Sequence, residues 1–159
     1  MMAKHFRIEG ETNDEDHRLD STRPSTSAQV MMCGTFSPMN RITDLQGYNL
    51  YFGWYMQTYY AIDQWLDNFH AEYPDIKLCL SEYGAEGILQ YQTDQGVHGD
   101  YSESYQARFH EHYARAISER DWLWGSYFWN MFDLQQSAGG YINRERRKRD
   151  KALRQNCLF

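Results

Sequence analysis

Residues 78–85, Leu78-Cys79-Leu80-Ser81-Glu82-Tyr83-Gly84-Ala85, decide how this chain is read. A short apolar run that leads into one carboxylate and then a glycine is the pattern of a buried strand ending at the rim of a sheet. In folds built from parallel strands, chemistry sits at the C-terminal strand ends. Glu82 is therefore either a catalytic carboxylate or an unusually placed surface acid.

Outward from this strand, strands and helices alternate. Upstream, Ser25 to Met32 reads as a first strand, Phe36 to Arg41 with Pro38 as a loop, and Leu45 to Gly53 (LQGYNLYFG) as a second strand. Tyr59, Ile62, Leu66 and Phe69, with Trp65 alongside, recur at helical spacing up to a stop near Pro74. Downstream, a polar, Gly-containing loop runs from Gly84 to Gly99. Asp100 or Ser102 then caps a helix whose stripe is Tyr105, Phe109, Tyr113 and Ile117. Leu123 to Phe132 reads as a fourth strand, crowded with aromatics. Helices after the second and third strands predict an α/β fold of parallel βα units. The order fits part of an open doubly wound sheet or half of a (β/α)8 barrel and does not separate them.

In either architecture the strand ends converge on one face. Asn49 and Tyr51 close the second strand, Glu82 the third, and Trp129 lies near the end of the fourth. An acid, a phenol, an amide and an indole suit a sugar: the indole stacks on the ring while the amide and phenol bond hydroxyls. Trp54, Trp122 and Trp124 read as packing. Glu86, four residues past Glu82, reads as loop surface, and His98 as a solvated loop histidine.

Composition narrows the field. The chain has 159 residues, enough for one domain with a core. Aromatics make up 16% (13 Tyr, 8 Phe, 5 Trp); an aromatic-rich core explains most of them, and such rings are also the usual platforms for sugar faces and flat ligands. The net charge of −6 excludes a general nucleic-acid binder. Cys33, Cys79 and Cys157 are odd in number and far apart, which predicts free thiols in a reducing compartment. No Cys/His zinc spacing occurs, and His110-Glu111-His112 lacks the i, i+4 histidine pair, so neither metal nor cofactor is expected. No apolar run is long enough to span a membrane, and the first residues lack a signal-peptide core, so a cytoplasmic location is expected. The expected organisation is an acidic arm or helix remnant over 1–20, a partial barrel over 21–134, and a basic tail over 135–159 that is disordered or helical.

With these segments in order, the chain resembles glycoside hydrolase family 2, which includes β-galactosidases, β-glucuronidases and β-mannosidases. The resemblance rests on Tyr48-Asn49-Leu50-Tyr51-Phe52-Gly53-Trp54-Tyr55, on Ser81-Glu82-Tyr83-Gly84-Ala85 and on Trp124-Gly125-Ser126-Tyr127-Phe128-Trp129-Asn130-Met131-Phe132-Asp133. Leu19-Asp20-Ser21-Thr22-Arg23-Pro24 looks like the segment before the fifth barrel strand, and Tyr101 to Gln106 like the stretch after the nucleophile loop. The likeness covers about residues 15 to 134 and is most β-galactosidase-like. It implies strands five to eight of a (β/α)8 barrel and a retaining glycosidase. Glu82 matches the nucleophile, Tyr51 a tyrosine that bonds to it, and Asn49 and Trp129 sugar-contacting positions.

The chain also departs from the family. Retaining hydrolysis needs a second carboxyl group about 5–5.5 Å away, and the family places that acid/base on a Glu preceded by Asn, upstream of the Leu19–Pro24 segment. Asn13-Asp14-Glu15 is a poor match, so the acid/base is expected to be missing and the isolated chain to have negligible activity. A β-glucuronidase-type fragment is the alternative substrate class. A non-catalytic carbohydrate-binding piece or a decayed remnant are the alternatives to an enzyme. The expected partner is a carbohydrate, with neither nucleic acid nor membrane, and self-association through exposed half-barrel surfaces is expected.

Overall fold

A computed structural model of the chain describes residues 2–33, 35, 37–93, 96–97, 99–130 and 132. The basic tail, Asp133, His98 and Cys157 lie outside the described residues. In chain order the elements are α1 (Met2–Leu19), β1 (Thr26–Val30), β2 (Leu45–Asn49), α2 (Ala61–Glu72), β3 (Leu78–Tyr83), α3 (Glu103–Ser118) and β4 (Leu123–Phe128), with short 3-10 turns at Met31–Cys33 and Pro38–Arg41.

The four strands form one sheet in the order β1-β2-β3-β4, and every pairing is parallel. Sequential parallel strands with α2 and α3 as crossovers match four consecutive units of a (β/α)8 barrel, the arrangement that the family resemblance implies. Leu78, Cys79 and Leu80 are all buried, so β3 is covered on both faces. The register then slips between Tyr48 and Asn49, so that Tyr48 pairs with Leu80 but Asn49 pairs with Glu82. That irregularity brings Glu82 level with the end of β2.

The core lies between the sheet and the two helices. On α2, Ile62, Leu66 and Phe69 are buried at i, i+4 and i+7. Tyr48 of β2 meets the rings of Trp65 and Phe69 at 4.9 and 5.7 Å. On α3, Tyr113 stacks on Phe109 at 4.3 Å and on Tyr83 of β3 at 5.2 Å. Ser102 caps α3 by accepting from the Tyr105 N–H at 3.1 Å. The two helices are braced by His112 Nε2 on Asp63 at 2.6 Å and by Arg120, which bonds both Asp63 and Asp67.

Several elements differ from the sequence expectation; the first strand, expected over Ser25 to Met32, spans Thr26–Val30. The second strand stops at Asn49 rather than Gly53, because the Trp54 and Tyr55 N–H groups both turn back to the Tyr51 carbonyl. Gly53 has φ +89°, and a Cβ there would strike the Tyr59 backbone, so the segment is a turn that only glycine allows. The fourth strand ends at Phe128, not Phe132, although the Trp129 N–H still donates to the Tyr83 carbonyl at 2.7 Å. The Trp129–Asn130 peptide is cis. The Pro38 segment is a 3-10 turn, capped by Ser37. Among the described residues, no helix is long and apolar enough to cross a membrane.

Candidate active site at the strand ends

Glu82 lies at the C-terminal end of β3, where the barrel geometry places reactive groups. The Tyr51 hydroxyl donates to its Oε2 at 2.7 Å. Main-chain pairing fixes both residues, since the Leu50 N–H donates to the Glu82 carbonyl at 2.8 Å. Burial, then the hydrogen bond to Glu82, then the charge of that carboxylate hold the Tyr51 phenol well above its ordinary range. Tyr51 therefore stays protonated and acts as a donor that orients one oxygen of the Glu82 carboxylate.

A cavity of about 300 Å³ opens in front of this pair. Tyr51, Glu82 and Trp129 line it, together with Trp54, Tyr55 and Glu86, over a floor of Gly84 and Ala85. Gly84 permits the close approach of the β4 end: a Cβ on it would run into the Trp129 carbonyl oxygen. Trp129 is 47% exposed and lines the cavity.

The structure thus brings three of the four expected residues onto one cavity. Asn49 is the neighbour of Glu82 in the sheet, but it is not among the lining residues, and its Oδ1 accepts from Ser81 Oγ at 2.7 Å. One reading of the sequence holds and is extended, and one needs correction. Trp54 is buried and packs edge-on to Tyr101, yet it also forms part of the cavity wall. Glu86 is not loop surface: it is half-buried and lines the cavity with Glu82. Tyr55 was not singled out by sequence. Its ring lies 5.1 Å from that of Tyr51, and burial, then the charge of Glu86, raises its phenol pKa. Trp122 stacks on His70 at 4.3 Å and Trp124 lies edge-on to Tyr127, both away from the cavity lining.

Among the described residues no group of three or more His, Cys, Asp or Glu side chains is placed to hold a metal ion. The arrangement can present one oriented carboxylate, phenolic donors, a second carboxylate and an indole to a small polyhydroxylated ligand.

No family model matches the chain. A β-glucuronidase from Bacteroides fragilis is 34% identical over 120 residues, 72% of this chain and 17% of its own length. Among solved structures, an FMN-binding β-glucuronidase from Facaelibacterium prausnitzii L2-6 is 45% identical, with a TM-score of 0.79, over 85% of this chain and 22% of that one. A candidate β-galactosidase from Bacteroides fragilis is 30% identical, with a TM-score of 0.78, over 84% of this chain and 21% of that one. The relatives are β-glycosidases of the family 2 type. The chain spans about a fifth of the length of these family 2 relatives. The Glu82 cavity sits at the C-terminal strand ends of the stretch they share with it, where a (β/α)8 enzyme carries its chemistry.

Proposed function

We propose that this chain carries the nucleophile side of a retaining β-glycosidase site, with Glu82 as the nucleophile. The observation that carries the reading is the 2.7 Å bond from Tyr51 to Glu82 Oε2 on the wall of an open cavity. The free Glu82 oxygen attacks the anomeric carbon, the bond to the leaving oxygen breaks, and a glycosyl ester forms on the carboxylate. Water then attacks the same carbon, the bond from that carbon to the Glu82 oxygen breaks, one water proton passes to a general base or to solvent, and the sugar leaves with Glu82 ionised. Trp129 supplies a stacking face, Tyr51 orients the nucleophile, and Asn49 lies next to it at the end of β2.

Departure of an ordinary alcohol needs a proton from a general acid, worth about 10²–10⁴-fold. No Asn-Glu pair, the form that acid takes in the family the sequence resembles, occurs in the 159 residues. The 159-residue chain alone is therefore expected to turn over unactivated glycosides negligibly.

β-D-Glucuronides are the leading substrate class, because the 34% and 45% identical relatives are both named β-glucuronidases. β-D-Galactosides are the second reading, favoured by a lining that holds Glu82 and Glu86 but no Arg, Lys or His among the described residues.

An activated 2-fluoro glycoside tests the chemistry without the missing acid, since its leaving group departs as a stable anion. Incubation with the glucuronide or galactoside form should attach one sugar to the peptide holding Glu82, and Glu82→Gln should abolish labelling. The faster sugar identifies the substrate class. A label on another residue, or undiminished labelling of Glu82→Gln, overturns the assignment.

A further inference from the structure

Close to its C-terminal end, β3 carries one residue more than either neighbouring strand. Tyr48 pairs with Leu80 and Asn49 with Glu82, so one step along β2 is matched by two along β3. On the other side Ser126 pairs with Leu80 and Phe128 with Tyr83, so two steps along β4 are matched by three along β3. Ser81 pairs with neither neighbour in the described sheet. An extra residue of this kind bends the strand and re-aims the side chains that follow it, and such bulges gather beside active sites.

The side chain of Ser81 has a seat of its own. A Cβ on Gly47 would lie 3.0 Å from Ser81 Oγ and 3.1 Å from Ser81 Cβ, so the side chain that Gly47 lacks leaves the space the serine fills. The hydroxyl then donates to Asn49 Oδ1 at 2.7 Å. A primary amide is planar, with an acceptor oxygen on one edge and two N–H donors on the other. A bond to the oxygen therefore fixes where the NH2 lies. Among the described residues that NH2 donates to no protein group. Asn49 is half-buried and pairs with Glu82 in the sheet. The Tyr51 hydroxyl is committed to the carboxylate, so an amide N–H at this strand end supplies a donor that the phenol cannot.

We propose that Ser81 is a positioning residue of the sugar site: its hydroxyl holds the Asn49 amide with the NH2 as a free donor beside Glu82, and that NH2 bonds a hydroxyl oxygen of the bound sugar. Ser81 itself does not touch the sugar. The inference rests on the glycosidase reading of these strand ends.

Equilibrium binding of phenyl 1-thio-β-D-glucuronide and of its galactoside counterpart to the full chain tests this. The readout is the fluorescence of Trp54 and Trp129, which line the cavity, and the design is a double-mutant cycle. For the sugar that binds, loss of a neutral hydrogen bond predicts that Asn49→Ala weakens binding about 2- to 10-fold. Ser81→Ala should weaken it by no more than Asn49→Ala does. Ser81→Thr keeps the hydroxyl and should retain binding. Adding Ser81→Ala to Asn49→Ala should change nothing further. Equal weakening by Ser81→Ala in both backgrounds overturns the proposal, because the serine would then act through the fold and not through the amide. Unchanged binding in either single alanine variant overturns it as well, and so does a wild type that binds neither sugar. Urea midpoints of all variants are compared with wild type. If Ser81→Ala does not fold, Ser81→Cys, which has a similar shape and only a weak donor, takes its place in the cycle. Labelling of Glu82 by the activated fluoroglycoside is a separate readout. If Glu82 is never labelled while Ser81 and Asn49 are coupled in binding, the nucleophile reading falls and the positioning pair stands. Labelling of Glu82 without coupling keeps the nucleophile and overturns the pair.

Discussion

The Tyr51 hydroxyl and Glu82 Oε2 lie 2.7 Å apart although the residues are 31 positions apart in the chain. Parallel pairing of β2 and β3, with its slip between Tyr48 and Asn49, brings them together. The bond orients the carboxylate, and its loss can be measured. Tyr51→Phe removes one hydrogen bond to a charged group and little volume. Labelling of Glu82 by an activated fluoroglycoside should slow about 10- to 100-fold while the fold is retained. An unchanged labelling rate would mean that Tyr51 does not position Glu82.

Two glycines should respond in opposite directions to the same substitution. A Cβ at Gly84 collides with the Trp129 carbonyl oxygen, which is backbone and can move only by displacing the end of β4. Gly84→Ala should cost about 1–3 kcal/mol. Gly10 lies inside α1, and a Cβ there would meet nothing within 4 Å. Gly10→Ala should stabilise by about 0.5–1 kcal/mol. Urea unfolding of the two variants checks both signs.

His110 packs among the rings of Tyr83, Phe109 and Phe128, and burial pushes its pKa down from 6.5 to about 4. The native histidine stays neutral where the unfolded chain already binds a proton. Between about pH 6.5 and 4 the unfolded state therefore holds more protons, and stability falls as the pH falls. The contribution is complete above that window. His110→Phe should lose less stability than wild type between pH 7 and pH 5, measured by urea unfolding at each pH. Identical losses would contradict the buried neutral histidine.

β1 and β4 are the outer strands of the described sheet, and Val30, Met32, Trp124, Tyr127 and Trp129 beside them are exposed. Unpaired strand edges flanked by aromatic side chains favour pairing between chains. Sedimentation velocity of the 159-residue chain should show concentration-dependent association, and Tyr127→Lys should reduce it. A monomer at every concentration tested would rule it out.

Much of the fold was legible because it rests on local patterns. The apolar run at Leu78–Leu80, the helical stripe of Ile62, Leu66 and Phe69, and the Ser102 cap each follow from neighbouring residues. The strand ends at Asn49 and Phe128 were not legible. They depend on the Tyr51 carbonyl capturing two N–H groups and on contacts with residues far along the chain. Glu86 was misread for the same reason: nothing near it in sequence reveals that Gln106 and Tyr101 hold the backbone of Ala85 and Ile88 on either side of it.

The sequence by itself determined the parallel βα architecture and singled out Glu82, because burial periodicity and a strand-terminal acid are encoded within a few residues. Only the tertiary structure decided what surrounds that acid. Parallel pairing and a register slip set Tyr51 on Oε2, Gln106 of α3 bonded the Ala85 carbonyl beside Glu86, and Ser81 engaged the Asn49 amide. Those contacts join residues separated by 21 to 32 positions, and such distances are closed by packing and hydrogen bonding across elements.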